Sequence, residues 1–178
     1  MLIVMAGLPG TGKSAIARAV AQALPAVILD KDPIRAALFP PTLLEYSTQQ
    51  DDFCMGIMLQ VADYILRQAP TRVVILDGRT FSRRYQVEAV AELAARLGQP
   101  LAIIESVCAD ATAQQRLEQD VAQGVHLAGN RNFALYLAIK ARFEPIARPK
   151  LIVDTDQTLA ECVALSVAYL KQGWAEGA

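Results

Sequence analysis

Residues 2–21 constrain this chain more than any other stretch. The apolar run Leu2-Ile3-Val4-Met5-Ala6 leads into Gly7-Leu8-Pro9-Gly10-Thr11-Gly12-Lys13-Ser14, and Ala15-Ile16-Ala17-Arg18-Ala19-Val20-Ala21 follows. This order is a strand, a glycine-rich loop and a helix, with the Gly-x-x-x-x-Gly-Lys-Ser spacing of a phosphate-binding loop. The glycines let the backbone curl until several N–H groups converge, and the positive end of the helix dipole adds to their pull on an anion. The pattern predicts that Gly7, Leu8, Pro9, Gly10, Thr11, Gly12, Lys13, Ser14 and Ala15 bind nucleotide phosphates. Lys13 would reach the β- and γ-phosphates, and the Ser14 hydroxyl would serve Mg²⁺.

A strand that feeds such a loop needs neighbours, and the remaining chain supplies them. Strand-like and helix-like stretches alternate with no internal repeat, low-complexity tract or linker, which predicts an α/β fold with a parallel sheet covered on both faces. The expected strands are Leu2–Ala6, Ala26–Leu29, Arg72–Leu76, Leu101–Val107 and Leu151–Val153. A helix from Lys13 to about Leu24 ends at Pro25. A long one is expected from Ser47 to about Gln68, with Phe53, Ile57, Val61, Tyr64 and Ile65 as its apolar stripe. Ser82 is expected to cap a helix that Gly98 ends after Leu97. Further helices are expected from Asp110 or Thr112, from about Arg131 to Phe143, and from Asp156 to about Lys171. Tyr136, Ile139 and Phe143 read as a core stripe. At 178 residues the chain is most simply one domain, 1–178.

Composition narrows the partners. The net charge of −1 and the absence of a long basic run weigh against duplex nucleic acid. No apolar run approaches a membrane span, and Leu2–Ala6 is too short for the core of a signal peptide, so a cytoplasmic protein is expected. Cys54, Cys108 and Cys162 are far apart in sequence and read as buried thiols rather than as a disulfide or zinc framework.

Ligands of open α/β sheets sit beyond the carboxyl ends of the strands. After the second strand come Asp30, Asp32 and Arg35. A carboxylate at Asp32 facing the loop would take the proton of an attacking hydroxyl, and Arg35, one helical turn on, would hold the acceptor. Asp32-Pro33 is also an ordinary helix start, with the acid as N-cap. Val73-Val74-Ile75-Leu76-Asp77 has the form of a Walker B strand, whose Asp77 would hold Mg²⁺ directly or through water, and Asp77 rivals Asp32 as the base. Arg79 and Arg84 follow it as candidate substrate contacts. Arg116 and Arg131 flank an irregular, glycine-containing stretch and would bring cations to the moving phosphoryl group if residues 112–142 form a lid; the bland alternative is a pair of solvated arginines. His126, the single histidine, is expected to be a loop or substrate contact.

These residues together resemble the small P-loop kinases of the AAA_33 type, which are related to polynucleotide 5′-hydroxyl kinase, zeta toxin and chloramphenicol phosphotransferase. The resemblance rests on Gly7–Ser14, Asp32-x-x-Arg35, Val73–Asp77, the Arg116 to Arg131 segment, Ala141-Arg142-Phe143-Glu144-Pro145 and Val153-Asp154-Thr155-Asp156. It implies a P-loop NTPase fold with a five-stranded parallel sheet in the order 2-3-1-4-5, helices on both faces and a helical lid. It also implies ATP and Mg²⁺, Asp32 as base, Arg35 on the substrate, lid arginines over the phosphates, and an adenine seat near Thr155 and Asp156. Where many members carry further lid arginines, this chain reads Leu117-Glu118-Gln119-Asp120. The expected activity is transfer of the γ-phosphoryl group of ATP to a hydroxyl of a small molecule. The alternatives are a 5′-hydroxyl polynucleotide kinase and a nucleotide-binding regulatory protein with little transfer activity.

Overall fold

The computed structural model describes residues 1–123 and 132–175. Five parallel strands form one sheet: β1 (Leu2–Ala6), β2 (Ala26–Asp30), β3 (Val73–Asp77), β4 (Leu101–Val107) and β5 (Leu151–Asp154), in the order β2-β3-β1-β4-β5. The helices are α1 (Lys13–Ala23), α2 (Lys31–Leu38), α3 (Thr48–Gln68), α4 (Arg84–Arg96), α5 (Asp110–Gln123), α6 (Phe133–Lys140) and α7 (Leu159–Ala175). Both the strand order and the α/β class match expectation.

The unbroken hydrophobicity of β1 follows from its central place, since both of its faces are covered. Alternate residues serve two cores. Leu2, Val4 and Ala6 join Val74, Leu76 and Ile103 under α3 and α4. Ile3 and Met5 join Val73, Ile75, Ala102 and Ile104 on the opposite face, with α1 and α7. Each fully buried large side chain contributes about 1.5–3 kcal/mol, so β1 is the keel of the domain and the loop it feeds is firmly anchored.

Several element ends differ from expectation. The long helix buries Cys54, Met55, Met58, Ala62 and Leu66, whereas Phe53 and Tyr64 are 56% and 67% exposed. Two stripes of helical spacing exist on α3. The sheet takes the one with small and flexible side chains, and Phe53 instead packs edge-on against Phe39. The N-cap of α4 is Arg83, whose N–H donates to the Gln86 side chain, rather than Ser82. Asp156 does not open α7. Thr158 and Glu161 do so in a reciprocal cap, with Glu161 N–H donating to Thr158 Oγ1 and Thr158 N–H donating to Glu161 Oε2. Asn132 caps α6 through Leu135 N–H, so that helix is shorter than expected. Cys54 and Cys162 are buried thiols, and Cys108 is half-buried. No described helix is long and apolar enough to cross a membrane.

Candidate active site

A cleft of about 670 Å³ opens beyond the carboxyl ends of β1, β2 and β3. One end is made of backbone. Gly7 has φ +129°, and a Cβ there would lie 2.3 Å from the Ser106 carbonyl oxygen. Gly12, at φ +78°, is the N-cap of α1, and its carbonyl accepts from the N–H groups of Ala15 and Ile16. The loop is braced from within: Thr11 Oγ1 donates to the Leu8 carbonyl at 2.7 Å, and Lys13 Nζ donates to the same oxygen at 2.7 Å. Pro9, Gly10, Gly12, Lys13, Ser14 and Ala15 line the cleft. Leu8 instead packs on Ala113, Leu117 and Tyr136, where α5 and α6 meet. Gly7 and Thr11 are buried behind the wall as scaffold.

The acids divide their work. Asp30, not Asp32, caps α2, accepting the Asp32 N–H at 3.1 Å. Asp32 thus sits inside the first turn with no capping duty, and its side chain lines the cleft. Strand pairing sets Asp30 opposite Asp77. Burial raises the Asp30 carboxyl above its ordinary range, and the charge of Asp77 adds to this. Asp77 is 2% exposed and does not line the cleft. Its Oδ1 is buried without a hydrogen-bond partner, an orphaned carboxylate oxygen of the kind a hydrated Mg²⁺ would satisfy. With the Ser14 hydroxyl on the cleft wall, the residues present fit that ion.

The far end of the cleft is made of ion pairs. Arg35 is 2% exposed and Lys31 7%. Arg35 Nη1 lies 3.4 Å from Asp32 Oδ1, its Nη2 contacts Asp51 Oδ1, and its guanidinium lies 5.0 Å from the centre of the Tyr46 ring. Lys31 Nζ donates to Asp51 Oδ1 at 2.7 Å and lies 3.6 Å from Asp32. Burial pulls Lys31 down to about 8, against the opposing charge of Asp32. Arg79, 4% exposed, pairs with Asp52, which also accepts from the Tyr85 hydroxyl at 2.9 Å. The turn that aims Arg79 inward is tight. Gly78 has φ +84° and the fully buried Phe81 has φ +53°, a conformation non-glycine residues seldom hold away from functional sites. The Thr80 carbonyl of this turn accepts the Gly7 N–H, tying it to the phosphate loop.

Sequence reasoning missed Lys31, Asp51 and Asp52. Two adjacent acids near the start of a helix read as partners of the helix dipole, and only the packing of α3 on α2 reveals their second role. Arg84 does not join the cleft. It is exposed at the start of α4, where its N–H donates to Glu144 Oε2.

At the side of the cleft, Arg116 donates from Nη1 to Thr155 Oγ1 at 2.9 Å and from Nη2 to the Thr155 carbonyl at 2.7 Å. Thr155 lines the cleft. Asp156 does not, because its carboxylate accepts the Ala109 N–H, which holds it below the usual carboxylate range. Asp110 joins α5 to α6, accepting from the Tyr136 hydroxyl at 2.6 Å and from Lys140 Nζ at 2.6 Å. Leu135, Ile139 and Arg142 complete this wall. Arg131 and His126 lie outside the described residues.

The family model AAA_33, described as an AAA domain, matches residues 2–146. Among solved structures, a Chloroflexus aurantiacus protein provisionally described as a kinase is 22% identical with a TM-score of 0.76, covering 97% of each chain. A gluconokinase from Sinorhizobium meliloti is 20% identical with a TM-score of 0.67, over 96% of this chain and 91% of its own. The Mycobacterium tuberculosis APS kinase CysC, in complex with AMPPNP and APS, is 17% identical with a TM-score of 0.70, over 96% of both chains. At these identities the likeness is one of fold. No curated protein matches the chain.

Proposed function

The chain belongs to the AAA_33 family of AAA domains, and from that premise we propose that it is an ATP-dependent kinase acting on a hydroxyl of a small molecule. The observation that carries this is the sharing of one cleft by the phosphate loop and Asp32, whose carboxylate has no capping duty. The gluconokinase and APS kinase folds support a small acceptor, as does the net charge of −1.

The triphosphate lies along the loop amides at the start of α1, and Lys13 exchanges its bond to the Leu8 carbonyl for the β- and γ-phosphates. Ser14 and Asp77 would hold Mg²⁺, which spreads the charge of the phosphates when bound. The acceptor hydroxyl lies between Asp32 and the γ-phosphorus, oriented by Arg35 and Arg79. Its oxygen bonds to phosphorus as the bond to the β–γ bridging oxygen breaks, ADP leaves with that electron pair, and the hydroxyl proton passes to Asp32. Arg116, poised against Thr155 and Gly10, serves the nucleotide. The described parts of the 112–142 lid segment, in helices α5 and α6, are coupled to the loop through Leu8 and act as the lid.

The test is a transfer screen with [γ-³²P]ATP over hydroxylated metabolites and antibiotics. Asp32→Asn is expected to keep nucleotide binding and to lose about 100-fold or more in transfer. An Asp32→Asn variant with native turnover would remove Asp32 from the mechanism.

A further inference from the structure

The cations beside Asp32 raise a difficulty. A carboxylate that takes a hydroxyl proton needs a lone pair turned toward that hydroxyl. Lys31 Nζ stands 3.6 Å from Asp32 Oδ1, just beyond hydrogen-bond reach, and Arg35 Nη1 donates to the same oxygen only through a long bond of 3.4 Å. What draws them off is a single oxygen on another helix. Asp51 Oδ1 accepts Lys31 Nζ at 2.7 Å and also pairs with Arg35 Nη2. The Tyr46 ring gives the guanidinium a second hold.

Asp51 is itself firmly placed. It lies in the first turn of α3, where Ser47 Oγ accepts the Gln50 N–H at 3.2 Å. The buried Gln50 side chain donates to the Leu43 carbonyl at 2.9 Å and accepts the Glu45 N–H at 2.8 Å. The segment ahead of α3 is thereby locked to its first turn.

We propose that Asp51 is a positioning residue that keeps Lys31 off the catalytic carboxylate of Asp32 and holds Arg35 to one long contact with it. This role rests on Asp32 being the base. Once Asp51 loses its charge, two buried cations keep one other carboxylate within reach, and an unpaired buried charge is costly. Both then close on Asp32 and occupy the lone pairs that face the acceptor. The triphosphate, held by the loop backbone at the other end of the cleft, does not sense the change.

The experiment uses the full chain with Mg·ATP and water as the acceptor, and compares Asp51→Asn, Asp51→Ser, Asp51→Glu and Asp32→Asn. Two neutral variants are made so that one folded protein carries the measurement. Both neutral variants are expected to lower kcat about 10- to 100-fold, part of what a well-placed base contributes, with KM for ATP within about twofold. Asp51→Glu, which restores the charge, recovers most of the rate. A crystal structure of Asp51→Asn is expected to show Lys31 newly hydrogen-bonded to Asp32 and the Arg35 bond to Asp32 shortened to below about 3 Å. A native kcat in the neutral variants beside a slow Asp32→Asn overturns the role of Asp51 alone, as do an Asp51→Glu no faster than Asp51→Asn and cations that stay in place in the crystal. A native kcat in Asp32→Asn removes the base, and the role of Asp51 with it.

Discussion

The two ends of the cleft are built on opposite principles. The phosphate end is backbone: glycines at positive φ, N–H groups at the start of α1, and a lysine resting on the loop's own carbonyl. The far end, proposed for the acceptor, is side chain: Lys31, Arg35 and Arg79 from two strand exits, held by Asp51 and Asp52 from α3. A backbone site is encoded within one short stretch and tolerates little change. A side-chain lattice is assembled from distant stretches, and each of its pairs can be altered singly.

That contrast fails if the glycine loop proves forgiving. Gly7→Ala would set a methyl 2.3 Å from the Ser106 carbonyl at φ +129°. A cost of about 3 kcal/mol is expected, lowering Tm by about 6–12 °C and abolishing ATP binding. Calorimetry with and without ATP measures both.

At the other end, Arg79→Ala breaks a pair whose carboxylate is part-exposed and can rehydrate. About 2 kcal/mol of stability is expected to be lost by urea titration, with ATP binding retained. Equal damage to nucleotide affinity would show that the two ends are not separable.

Lys31 gives the lattice a pH signature. Burial holds it at about 8 in the fold, against 10.5 for the ordinary side chain. Between those values the unfolded chain binds the extra proton, so stability rises as pH is raised from about 8 to about 10.5, and the burial penalty is fully felt below 8. The rise is at most about 3 kcal/mol. Urea midpoints across that range measure it, and Lys31→Met is expected to flatten the curve. The smallest effect is expected at Arg84, which stands outside the cleft. Arg84→Ala should leave transfer kinetics within about twofold.

The same division explains what could be read from the sequence. The loop and the acids at the strand ends were legible because a local motif and strand periodicity carry them, and the sheet order because the family resemblance implies it. Which acid caps α2 was not. Asp30, Asp32 and Pro33 all suit a helix start, and β2–β3 pairing decides it by carrying β2 through Asp30. The buried face of α3 was not legible either, since Phe53-x-x-x-Ile57 and Cys54-x-x-x-Met58 share one spacing and only close approach to the sheet favours the slimmer pair. Asp51 and Asp52 owe their place to that rotation. Arg84 was drawn toward the site by its nearness in sequence to Arg79, but the turn through Gly78 and Phe81 points the two apart.

The most direct test of a cleft shared by phosphate cradle and base is a crystal structure with Mg²⁺ and a non-hydrolysable ATP analogue. It should show the triphosphate on the amides of Gly10 to Ser14, Lys13 moved from the Leu8 carbonyl to the phosphates, and the Asp32 carboxylate facing the γ-phosphate across room for one hydroxyl. A nucleotide bound elsewhere with Lys13 still on Leu8, or Asp32 turned away behind Lys31 and Arg35, would contradict it.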